Sequence, residues 1–127
     1  MSIFNASIAG IVAGDDLDIE RTFTSVPAGQ TLTKAWLTFK TAIVDADPGL
    51  LQKAVTIAAV AGVGQITDSG ASGTGTLLFQ LTGADTLALP VLVDVRYDVK
   101  VLTSAGKIYT VEQGIYLAAP RVTTTTS

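Results

Sequence analysis

The carboxylates are the residues of this chain best placed to do chemistry, and they fall in two groups. Asp15, Asp16, Asp18 and Glu20 lie close together. Oxygen ligands at that density suit calcium, a hard cation that takes about six to eight oxygens. The spacing is not that of an EF-hand loop, and a polar turn leading into a strand with one wet face accounts for the same residues. Asp45 and Asp47 form the second group. Paired carboxylates serve as general acid and base in glycoside hydrolysis, which also needs a cleft, aromatic subsites and a raised pKa on one group. The chain has 1 Trp and 3 Tyr, and Pro48-Gly49 marks the Asp45–Gly49 stretch as a tight turn. His and Cys are both absent, which excludes His- and Cys-based dyads and triads, disulfides and ordinary zinc sites. Gly73-Thr74-Gly75 lacks the Lys-Ser/Thr and helix that complete a phosphate cradle. The expectation is a non-enzyme with no catalytic residues, cofactor or metal.

The remaining candidates are residues for contact rather than reaction. Trp36 lies on the strand face opposite Leu37 and Phe39. If those two face a core, Trp36 is exposed, as an interface anchor or a sugar-stacking platform, or it is covered by a loop or the N-terminal segment. Tyr97, Tyr109 and Tyr116 are its possible companions in a carbohydrate-binding module. Tyr97 is on the apolar face of its strand, and without a bulge Tyr109 and Tyr116 point to opposite sides, so a platform is not evident. Asp94, Arg96, Asp98 and Lys100 project from one strand face. They can pair with Lys107 or Glu112 across a hairpin, or form a subunit interface of fixed register. Ile3, Phe4 and Ile8 make the N-terminal segment apolar enough to dock on another subunit. Together with Trp36 and Arg96 they are the candidate interface residues.

The net charge is −3, 15% of residues are charged, and no Lys/Arg cluster occurs. This argues against a nucleic-acid partner. The apolar content is high, at 48%, but the longest weakly polar stretch, Ala54 to Gly64, is too short to span a membrane as a helix. Met1 to Asn5 lacks the basic and apolar regions of a signal peptide, so the expected site of synthesis is the cytoplasm.

Strands must position these residues. In Val91 to Val101, Val91, Val93, Val95, Tyr97, Val99 and Val101 alternate with the polar set Asp94, Arg96, Asp98 and Lys100. Period-two alternation places one face in a core and one in water. Lys107 to Leu117 returns as its hairpin partner, with Gly114 read as a bulge. Leu17 to Thr24 alternates too, except that Arg21 interrupts its apolar face. Lys34 to Lys40, Leu51 to Val60 (centred on Val55 and Ile57), a short Gln65-Ile66-Thr67 and Thr76 to Thr82 complete the set. Gly83 to Leu87 reads as one helical turn. About seven strands between turn signals predict an all-β antiparallel sandwich. It forms a single domain over residues 1–120, with residues 1–12 as an assembly arm and residues 121–127 as a Thr-rich tail.

The order of segments carries a resemblance. A polar entry strand is followed by Ala35-Trp36-Leu37-Thr38-Phe39-Lys40, a long loop, Gly75-Thr76-Leu77-Leu78-Phe79-Gln80-Leu81 and the Ala84-Asp85-Thr86-Leu87 turn. Then come Tyr97-Asp98-Val99-Lys100-Val101, the Ser104–Lys107 turn and a strand ending near Val122-Thr123. This order, from Asp16 to Thr123, resembles the immunoglobulin-like N-terminal domain of phage baseplate upper proteins and small head or tail accessory proteins of tailed phages. The resemblance implies an immunoglobulin-like sandwich. It also implies a non-enzymatic structural or adaptor role in a virion, at the tail, baseplate or fibre attachment, as a homo-oligomer among other virion proteins. A head-decoration protein and a carbohydrate-binding module are the alternatives.

Overall fold

The computed structural model describes residues 10–24, 26–42, 45–47 and 49–120. Its elements are β1 (Leu17–Phe23), β2 (Leu32–Lys40), β3 (Leu51–Val55), β4 (Gly64–Ser69), β5 (Gly75–Leu81), α1 (Gly83–Ala88), β6 (Asp94–Thr103) and β7 (Ile108–Leu117). A three-stranded sheet runs β1-β5-β4 and a four-stranded sheet runs β3-β2-β6-β7. Every pairing within them is antiparallel. The sheets enclose one core, so the chain is an all-β sandwich.

Alternation builds that core. β5 buries Leu77, Phe79 and Leu81, β2 buries Ala35, Leu37 and Phe39, and β6 buries Val95, Tyr97, Val99 and Val101. Each fully buried Leu or Phe contributes about 1.5–3 kcal/mol. The edge of Phe39 meets the ring of Tyr116, with centroids 5.1 Å apart at 84°. Gly64 fixes where β4 meets β5. Its φ is +129°, and a Cβ there would lie 2.0 Å from the Leu78 carbonyl oxygen, so only glycine allows this approach.

The expected helical turn is α1. Thr82 caps it: the Asp85 amide donates to the Thr82 hydroxyl, and the Thr82 amide donates to Asp85 Oδ2 at 2.8 Å. The Lys53 ammonium at 2.7 Å ties the same carboxylate to β3. Buried Thr86 holds the helix to the turn that precedes β1, donating to the Asp15 carbonyl at 2.7 Å.

Several boundaries differ from the alternation reading. β3 stops at Val55, and Ile57 is 56% exposed instead of lying mid-strand. β6 begins at Asp94; Leu92 has φ +58° and Val93 is exposed. That left-handed residue breaks the extended run which the valines suggest. The irregularity in β7 lies at Val111, not Gly114, because Val99 pairs with Glu112 while Lys100 pairs with Thr110. Residues 1–9 and 121–127 lie outside the described residues, so Ile3, Phe4, Ile8 and the Thr-rich tail are not placed. The end of the expected arm is placed: Ile11 and Ala13 are buried. Val12 pairs in parallel with Ala119, through the Ala13 amide to the Ala119 carbonyl (2.9 Å) and the Ala119 amide to the Ile11 carbonyl (3.0 Å).

Candidate interaction surface

The outer face of the four-stranded sheet brings together Trp36 and Arg96 of the candidate interface residues, with the rest of the β6 charge line. β6 projects Asp94, Arg96, Asp98 and Lys100 along its middle. On one side, β2 sets Trp36 beside Lys100, Thr38 beside Asp98 and Lys40 beside Arg96. On the other, β7 sets Thr110, Gln113, Ile115 and Leu117 beside Lys100, Asp98, Arg96 and Asp94 in turn. Trp36 is half-buried, neither free of the fold nor inside it. The Lys34 ammonium lies 5.3 Å from its ring centroid, a cation–π contact. Arg96 is exposed. Ile115 and Leu117 are exposed apolar residues on the same face, 42% and 57% accessible.

Directly across the strands the charges of β6 meet no opposite charge; their opposite-sign neighbours lie two positions away along β6 itself. Among the described residues none of the four forms an ion pair. Lys40, the cross-strand neighbour of Arg96, binds Asp47 at 2.7 Å. Asp98 is half-buried between Thr38 and Gln113. Burial pushes its carboxyl above the ordinary value, while Lys100 and Lys40 oppose the shift and Asp47 adds to it. Of the cross-hairpin partners expected for this line, Lys107 forms no ion pair among the described residues and Glu112 is elsewhere.

Glu112 points into the sandwich and is 1% exposed. At the irregularity Val111 and Glu112 both turn inward, as at a bulge. Arg21 of β1, on the opposite sheet, donates through Nε to Glu112 Oε1 at 2.6 Å. The Tyr97 hydroxyl donates to Oε2 at 2.5 Å. Burial alone would lower the Arg21 pKa, but the facing carboxylate holds it above its ordinary value. Burial first, then Glu112, raises the Tyr97 phenol. The arrangement is an ion pair between a partly exposed guanidinium and a buried carboxylate, linking two sheets with each carboxylate oxygen engaged. The sequence signal was Arg21 interrupting an apolar face; its partner lies 91 residues away and was not foreseen.

Of the two carboxylate groups, Asp16 and Asp45 bind backbone amides and Asp47 pairs with Lys40. Asp16 Oδ1 accepts from the Gly83 amide at 2.7 Å. Asp45 Oδ2 accepts from the Thr41 hydroxyl and the Ala42 amide. Among the described residues no group of three or more Asp or Glu is disposed to hold a metal ion. The bulge turns both Tyr109 and Tyr116 inward; Tyr116 is buried and Tyr109 packs against the core. Trp36 therefore has no tyrosine beside it on the outer face. A shallow depression of about 300 Å³ lies on the smaller sheet, lined by Val60, Gln65, Leu78 and Gln80 among others. Its two amides are engaged with the Ile57 carbonyl and the Gly62 amide. No described helix is long and apolar enough to cross a membrane. No protein-family profile, curated protein or solved structure matches the chain.

Proposed function

We propose that this chain is a non-enzymatic structural or adaptor module of a tailed-phage particle, acting as a homo-oligomer at the tail, baseplate or fibre attachment. The observation that carries the contact role is the outer face of the larger sheet. It joins a half-buried Trp36, exposed Ile115 and Leu117 and a line of charges that form no ion pair among the described residues. The strand order supports the immunoglobulin-like part of the reading. β1-β5-β4 opposite β3-β2-β6-β7 corresponds to the B-E-D and C′-C-F-G sheets of such sandwiches. The tailed-phage setting rests on the sequence resemblance over Asp16 to Thr123.

Quantitative mass spectrometry of purified particles from the strain that encodes the chain tests this reading. Peptides from the chain at low copy number per particle are the expected result. High copy number would move the assignment to head decoration, and absence from particles would overturn it.

A further inference from the structure

The line of charge on β6 is self-complementary. Read from Asp94 through Arg96 and Asp98 to Lys100, its signs are minus, plus, minus, plus. Read backwards, each position meets its opposite. Among the described residues none of the four forms an ion pair, and the opposite charges nearest to them are their own neighbours along β6 and, for Asp98, Lys40. Its cross-strand neighbours are Leu117 at Asp94, Lys40 and Ile115 at Arg96, Thr38 and Gln113 at Asp98, and Trp36 and Thr110 at Lys100. One of these, Lys40, is a like charge, which is unfavourable across a strand pair. A surface whose four ordered charges form no ion pair among the described residues, bordered by Trp36 on one side and exposed Ile115 and Leu117 on the other, is matched in sign by a second copy of itself.

We propose that a second copy of this chain docks face to face on this sheet, about a two-fold axis that runs across β6 midway between Arg96 and Asp98. The axis sets the two β6 strands antiparallel. Arg96 of each copy then meets Asp98 of the other, and Asp94 meets Lys100. Same-face residues on a strand are about 7 Å apart, so the central contacts lie close to the axis. Sheets packed face to face cross at about 30°, which displaces the outer contacts by about 5 Å, within reach of a lysine. The flanking apolar side chains exclude water from the line and strengthen each pair. Asp98, already half-buried, gains a facing guanidinium in addition to Lys100 and Lys40 of its own sheet. A parallel arrangement would stack like charges and is disfavoured. This inference rests on the homo-oligomer reading and names its surface.

Sedimentation of the full chain across a concentration series tests it, with circular dichroism to verify folding. The wild type is expected to form a dimer or an even-numbered assembly built from it. Arg96→Asp alone and Asp98→Arg alone each create two like-charge contacts by symmetry, and each is expected to weaken association by about 100-fold. Mixing the two variants re-creates every pairing in a heterodimer, and the double variant R96D/D98R is again self-complementary, so both should restore assembly. Asp94→Lys and Lys100→Asp give the same test at more exposed positions if Asp98→Arg does not fold. Single variants that assemble like the wild type would overturn this surface while leaving homo-oligomerisation standing. Singles that dissociate without rescue by mixing would overturn the antiparallel register. A wild type monomeric at all concentrations would overturn both the surface and the homo-oligomer reading.

Discussion

Tyr97 and Tyr116 are both buried and both pack on Phe39, but their hydroxyls differ. The Tyr97 hydroxyl donates to Glu112, whereas the buried Tyr116 hydroxyl has no hydrogen-bond partner among the described residues. A hydrogen bond to a charged group contributes about 1.5–3 kcal/mol, and a buried polar group without a partner carries a desolvation cost. Tyr97→Phe is therefore expected to lower stability by about 2 kcal/mol, and Tyr116→Phe to leave it unchanged or raise it by about 1 kcal/mol, both measured by urea denaturation at pH 7. Burial raises both phenols, and at Tyr97 Glu112 adds to the effect. A raised native pKa gives stability that is full below the unfolded tyrosine value of about 10 and is lost as pH rises toward the folded value. The wild type should thus lose stability above about pH 10, and Tyr116→Phe should lose it less steeply. Glu112→Gln leaves the Arg21 charge, which is partly open to water, without its counter-charge and is expected to cost about 1.5–3 kcal/mol. The combined Arg21→Met, Glu112→Leu, Tyr97→Phe variant, which leaves no orphaned polar group, should cost far less in the same assay.

The bulge of β7 decides which way its residues point. Val111 is the extra residue, with Tyr109 and Glu112 facing inward on either side of the irregularity. Removing it gives regular alternation with Glu112 still inward. Deletion of Val111 should therefore keep a cooperative denaturant transition and lose only the burial of one valine, about 1.5–3 kcal/mol. Deleting Leu78 from β5, which is in continuous register with β1, turns part of that strand over and should abolish the transition. At α1, burial would raise the Asp85 carboxyl, but Lys53 and the Thr82 bonds hold it below its usual value. A depressed native pKa gives stability that is present above the unfolded carboxylate value of about 3.9 and is lost as pH falls through the folded value. Asp85→Asn should cost about 1 kcal/mol at pH 7, and the difference from wild type should shrink in melts below about pH 4.

Across the whole molecule, the last strand is closed at its end by residues 11–13, which carry buried Ile11 and the pairing to Ala119. The expected assembly arm therefore includes part of the core. Deleting Met1 to Val12 should cost at least about 2 kcal/mol from Ile11 alone, seen as a lower melting temperature whether or not assembly changes. A truncation that tests assembly by itself must stop at residue 9. The charge line belongs to this scale too, since its four members are local in sequence but the residues set across from them belong to two neighbouring strands.

The amino-acid sequence by itself determined the strand count, the inward sets of β2, β5 and β6, the helical turn and the outward line of charge on β6. These depend on a two-residue period and on turn chemistry, which are local. It also exposed Arg21 as an exception without naming its partner. Only the tertiary structure decided that Glu112 is inside. That depends on one extra residue in β7, placed by its register with β6, and on a guanidinium arriving from the other sheet. Likewise Ile57 and Val93 satisfy the local pattern, yet the chain leaves the sheet before one and enters it after the other. Periodicity says which residues share a face, but pairing with a distant strand sets where that face begins, where it ends and where its phase slips.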